Sequence, residues 1–201
     1  MQWIRQLFIA ALALVAAAPA LSAQQINFGA WQQPFDVTSN TFRNDTTLPL
    51  STIFNSVSNG VNACTPDGSI GGNASPQLTW TPLKGARSYA VVLFDETASF
   101  THWGLYDVSP SVTSLPADAG VANNPYGKQI TNDFGLMEYD GPCPPPGLVH
   151  KYVFTVYALD TQLNLPQSTT FPANAETLFR ALIEHVLAQA SVTGFYASTP
   201  Q

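Results

Sequence analysis

The 201-residue sequence predicts a mainly β domain with one helix near its C-terminus. Three observations carry this reading. Turn formers are abundant, with 13 Gly and 16 Pro, as in folds of strands joined by tight turns. Four segments have the alternation or the β-branched and aromatic density of strands. A segment after Asn174 repeats its apolar residues at helical spacing instead. Apolar residues make up 45% of the chain, which supplies a core and excludes general disorder. Charged residues are only 10%, against about 25% in ordinary domains. Seven Lys+Arg against thirteen Asp+Glu give a net charge of −6. No basic stripe exists to hold nucleic acid.

The elements follow in order. Residues 1–23 have a charged start at Arg5, an unbroken apolar run over 7–18, and a small-residue end at Ala20, Leu21, Ser22 and Ala23. These are the three parts of a secretory signal, with cleavage expected near Ala23. The run is shorter than the roughly 20 apolar residues of a membrane span, and no later segment is long and apolar enough for one. The expectation is an exported protein, periplasmic or extracellular, with residues 24–201 forming a single domain. Residues 24–60 are polar, Asn/Thr-rich and irregular, with one short strand, and 61–75 read as a Gly/Asn/Ser loop. Strands are expected over 77–81, 88–95, 102–108 and 150–160. Between the last two lies a Gly/Pro/Asn-rich stretch, 109–149, and connections of that length in compact domains are usually functional. The helix has Asn174 as its cap, Glu176 in its first turn, and Leu178, Phe179, Leu182, Ile183 and Val186 at helical spacing. It should end before Gly194, with a last short strand over 194–196.

Cys64 and Cys143 are an even pair bound for an oxidising compartment. They form either a disulfide or two buried thiols, and the compartment favours the disulfide. Strand geometry adds a second grouping. Side chains two apart share a face, so His150 and Tyr152 point the same way. A tight hairpin after Asp95 would bring that residue close to His102. Imidazole and phenol can donate hydrogen bonds to an anionic oxygen, so Asp95, His102, His150 and Tyr152 outline a small anion pocket. The run Gly141-Pro142-Cys143-Pro144-Pro145-Pro146-Gly147 is a stiff wall beside it. His185 reads as a packing or surface residue, and Trp80 and Trp103 as core.

Several separated motifs resemble those of the phosphatidylethanolamine-binding proteins. Gly72-Asn73-Ala74-Ser75-Pro76-Gln77-Leu78-Thr79-Trp80 resembles the family's G-x-N-x-S-P-x-L-x-W segment. His102-Trp103 resembles its HW step. Gly141-Pro142-Cys143-Pro144-Pro145, followed by His150-Lys151-Tyr152, resembles its GPCPP and H-[RK]-Y segments. Asn132-Asp133-Phe134-Gly135 also fits. The resemblance is to the bacterial, Raf-kinase-inhibitor-like YbhB/YbcL-type branch, over residues 53–196. It implies a large central antiparallel sheet, a second smaller sheet and a C-terminal helix. It also implies a pocket for phosphate, phosphoethanolamine headgroups or similar anions. Asp95, His102, Pro144, Pro145, His150 and Tyr152 would form that pocket, with no cofactor and no metal. Cys64 falls near a Cys that exported bacterial members carry, which supports its pairing with Cys143. The family's D-P-D-A-P loop here reads Asp95-Glu96-Thr97-Ala98-Ser99, so the rim is altered.

The function expected is binding of a small anion or phospholipid headgroup, with a regulatory role through a protein partner. The alternatives are inhibition of an extracytoplasmic hydrolase, or small-substrate enzymology by the Asp/His/His group. No nucleophile motif such as G-x-S-x-G or H-E-x-x-H occurs, so no catalytic residue is assigned.

Overall fold

The computed structural model describes residues 34–166, 168 and 170–198. The expected signal segment, 1–23, lies outside them. The elements are β1 (Val37–Thr38), β2 (Thr46–Thr47), β3 (Val57–Ser58), β4 (Val61–Asn62), β5 (Leu78–Trp80), β6 (Ser88–Asp95), β7 (Phe100–Val108), β8 (Ser114–Leu115), β9 (Lys128–Gln129), β10 (His150–Leu159), α1 (Ala175–His185) and β11 (Val186–Tyr196). The architecture is mainly β, as the sequence predicts. A six-stranded sheet in the order β2-β11-β10-β6-β7-β9 is joined by a three-stranded sheet, β1-β5-β8, and the hairpin β3-β4. The large sheet is antiparallel except at one edge, where β2 runs parallel to β11.

Strand β6 is buried along almost its whole length, which explains its near-continuous apolar sequence. Alternation sends Tyr89, Val91 and Leu93 to one face and Ala90 and Val92 to the other. The first set joins Trp103 and Leu105 of β7 and Phe154 and Val156 of β10. Leu78, Trp80 and Leu115 of the small sheet complete this main core. The second set packs with Tyr106, Leu159, Leu178 and Leu182, so α1 covers the opposite face.

The helix starts where expected. The Asn174 side chain accepts from the Thr177 amide, and the Thr177 hydroxyl accepts in return from the Asn174 amide. It stops earlier than its apolar spacing suggests. Leu178 and Leu182 are buried, but Ile183 is 83% exposed, and Val186 already belongs to a strand. The expected short strand at 194–196 is an 11-residue strand, β11. Its residues pair with β10 from His150↔Tyr196 to Leu159↔Val186, and that ladder outweighs the helical run. Among the described residues, the Asn/Thr-rich N-terminal region carries three two-residue strands rather than one, and the 61–75 loop opens with β4. The connection 109–149 holds only β8 and β9 as strands.

Cys64 and Cys143 form a disulfide, so the two-thiol alternative is set aside. The bond ties the loop after β4 to the proline-rich wall.

Candidate functional site

Asp95 closes β6 on the same face as Leu93 and Val91. The antiparallel register sets Tyr152 of β10 directly opposite it, and His150, two residues away, shares that face. Across the other side, β7 pairs Trp103 with Leu93 but Thr101 with Phe94. His102 is therefore the extra residue of a β-bulge. Such a bulge re-aims a side chain. It turns His102 to the core side along with Trp103, and the His102 and Tyr152 rings meet edge to face at 5.4 Å. The His150 ring lies 6.3 Å from Tyr152 on a nearly parallel plane. Four predicted residues, Asp95, His102, His150 and Tyr152, are thus gathered at one end of the large sheet, all buried.

Their hydrogen bonds fix their roles. Asp95 Oδ1 accepts from the backbone amides of Thr97 at 2.8 Å and Ala98 at 3.0 Å. Its Oδ2 receives His150 Nδ1 at 2.6 Å. Asp95 thus bonds to His150, and its charge also reaches His102, the neighbour expected from the hairpin. His102 Nδ1 donates to the Asp140 carbonyl at 2.8 Å, and a carbonyl can only accept, so the hydrogen sits on Nδ1. Burial pushes the His102 pKa below its ordinary value, against the smaller opposing pull of the Asp140 carbonyl and the Asp95 charge. Burial pushes the Tyr152 phenol up, and the Asp95 carboxylate beside it adds to the rise.

The sequence departures have a physical reading. The Glu96 amide donates to the Lys151 carbonyl at 2.9 Å, a bond proline cannot make. Ser99 has φ +54°, far from the value near −65° that proline imposes. The two prolines of the D-P-D-A-P pattern are incompatible with this turn. Lys151 pairs with Glu96 at 2.7 Å and, by strand alternation, faces away from His150.

The wall is held from three sides. The Gly141 amide donates to Asn73 Oδ1 at 2.8 Å, the Pro142 carbonyl accepts from the Phe54 amide at 3.1 Å, and Cys143 is disulfide-bonded. Pro144 is buried and Pro145 exposed. They belong to the wall, and neither joins the hydrogen-bonded group of Asp95 and the histidines. Residue-by-residue reading missed Asn132 and Asp140. Asn132 Nδ2 donates to the His102 carbonyl, the Glu138 carbonyl and Asp140 Oδ2, which locks the segment that carries His102's partner. It also missed Phe134, which is 45% exposed and touches the rings of Phe54, Phe100 and His102. The Asn132-Asp133-Phe134-Gly135 motif was the available signal. A separate open cleft of about 570 Å³, lined by Asn123, Lys128, Met137 and Glu138 among others, shares no residue with this cluster. Among the described residues, no group of three or more His, Cys, Asp or Glu is gathered as a metal would need.

The family model for phosphatidylethanolamine-binding proteins matches residues 38–197. A UPF0098 protein of Methanothermobacter thermautotrophicus is 39% identical over 132 residues, covering 63% of this chain and 84% of its own. The UPF0098 protein YbcL of Escherichia coli is 37% identical over 147 residues, 68% of this chain and 75% of that protein. YbhB of the same organism is 31% identical over 79% of this chain and 98% of its own. The crystal structure of E. coli YbcL, described as a member of the mammalian PEBP family, superposes with a TM-score of 0.68 at 32% identity, over 81% of this chain and 98% of that one. The match of fold, ordered motifs and most of the chain places the protein in the phosphatidylethanolamine-binding protein family.

Proposed function

We propose that this protein is an exported binder of small oxyanions, phosphate-bearing headgroups among them, acting at the Asp95–His150–Tyr152–His102 cluster. The observation that carries this reading is the Asp95–His150 contact at 2.6 Å. It fixes the His150 ring so that Nε2 is left for a ligand, beside His102 and Tyr152. A small cluster of imidazole and phenol groups, closed by a stiff wall, suits a compact oxyanion better than an extended substrate. The apolar run at residues 7–18 supports export. A regulatory role through a protein partner belongs to the same reading, with the half-exposed Phe134, whose ring meets that of His102, as a contact.

The test is a thermal-shift titration of residues 24–201 with phosphate, O-phosphoethanolamine and acetate. A ligand at about 100 times its Kd stabilises by roughly 2.7 kcal/mol. The expected result is a rise in Tm with phosphate and phosphoethanolamine that His150→Ala abolishes. An unchanged Tm with every anion would sink the reading.

A further inference from the structure

The hydrogen-bond inventory of the cluster has a consequence for what it binds. His150 and His102 both spend their Nδ1 hydrogen on the protein, one on the Asp95 carboxylate and one on the Asp140 carbonyl. In the neutral rings Nε2 is then a bare acceptor. Nearby backbone amides are also committed. Those of Thr97 and Ala98 go to Asp95, that of Thr101 to Asp133 Oδ2, that of Glu96 to the Lys151 carbonyl and that of Gly141 to Asn73.

The charges point the same way. Asp95 from β6 and Asp140, just before the wall, are both buried here. Asp133 bonds the Thr101 amide beside His102. Tyr152 of β10, Tyr139 just before the wall and Tyr196 of β11 are also near, and burial pushes all three phenols above their ordinary range. Lys151 is paired with Glu96 on the other face. The phenol hydrogens are spent as well: Tyr139 donates to the Thr52 carbonyl, Tyr196 to the Cys64 carbonyl, and Tyr152 bonds to Asp95. With its hydrogens committed and two carboxyl groups beside it, the cluster repels an anion unless a hydrogen lies in between.

We propose that the site binds oxyanions together with a proton, which lies between an anion oxygen and Nε2 of His150 or His102. This rests on the oxyanion reading above and narrows its ligand class. Favoured ligands are oxyacids that bring their own hydrogen, such as hydrogen phosphate or a phosphate monoester monoanion. A fully ionised anion such as sulfate binds only by drawing a proton from water onto an imidazole. Of the two rings, His150 is the one bonded to a carboxylate, Asp95, at 2.6 Å. Phosphodiesters, which carry no exchangeable hydrogen at neutral pH, fall in the same class as sulfate.

The experiment is isothermal titration calorimetry of the intact protein with inorganic phosphate and with sulfate, at pH 6 and pH 8. Each titration is run in two buffers of different ionisation enthalpy, so that the heats report protons taken up. The expected result is tighter binding of phosphate than of sulfate, uptake of about one proton per sulfate, and a fall in sulfate affinity of up to about tenfold per pH unit. Imidazole nitrogen NMR should show an Nε2 resonance moving from the bare to the protonated position as sulfate is added. Sulfate bound equally at both pH values, without proton uptake, overturns this inference and leaves the oxyanion site standing. Failure of both anions to bind at either pH overturns the oxyanion reading, and this inference with it.

Discussion

At the scale of single residues, Asp95 is the hub. Its carboxylate receives an imidazole and two backbone amides while almost wholly buried. Removing one partner of such a group leaves the others unsatisfied. Asp95→Ala should lower the unfolding free energy by about 3 kcal/mol, measured by urea denaturation, and should abolish anion binding. His102 sets an acid limit. Its folded-state pKa lies below the ordinary value of 6.5, so between the two values the unfolded chain holds more protons than the folded one. Stability should therefore rise with pH through that interval and level off above about 6.5. Tyr152 sets an alkaline limit, since its pKa is raised above the ordinary 10.0. Above that pH unfolding releases a proton, and stability should fall. Thermal melts across pH check both slopes, and His102→Gln should flatten the acid one. Asp95, His102, His150 and Tyr152 were legible because each sits at a strand end or at strand spacing, within motifs that resemble a family. Asp140 and Asn132 were not, because they act through loop contacts that no periodicity encodes.

At the scale of elements, β6 and β10 were legible because their apolar, β-branched runs are long and bounded by turn residues. The bulge in β7 was not, because register belongs to two strands at once and His102 looks like an ordinary strand residue by itself. Strand β11 was missed for a related reason. Its Ala188, Gln189, Ala190 and Ser191 carry little β preference, and pairing with β10 decides their conformation. The wall offers a clean test at this scale. A Cβ on Gly141 would lie 2.0 Å from the Thr52 carbonyl oxygen and 2.9 Å from the Phe54 amide nitrogen. Both are backbone atoms and cannot rotate away. Gly141→Ala should push the wall outward, at a cost of about 1–3 kcal/mol, and weaken anion binding through the neighbouring Asp140 carbonyl. Chemical denaturation and the calorimetric titration read the two effects separately.

At the scale of the whole molecule, the sheet order brings chain segments far apart in sequence to one end of one sheet. Asp95 and His150 bond across a separation of 55 residues, and the disulfide spans 79. Closing a loop of that size restricts the unfolded chain by about 4 kcal/mol. Reduction, or Cys64→Ser with Cys143→Ser, should lower stability by about that amount in denaturant melts run with and without a thiol. The same bond has a consequence for the molecule's integrity. Residues 64–143 become a covalent ring that encloses β5, β6, β7, β8 and β9, while β10, α1 and β11 form a tail outside it. A protease that cuts once inside the ring, for example at the exposed Lys84-Gly85 turn, leaves a single molecule whose two pieces separate only on a reducing gel. A cut between 144 and 149 detaches the tail that supplies His150 and Tyr152. Resistance to scission is therefore uneven along the chain, and the six residues just before the site, 144–149, lie on its unprotected part.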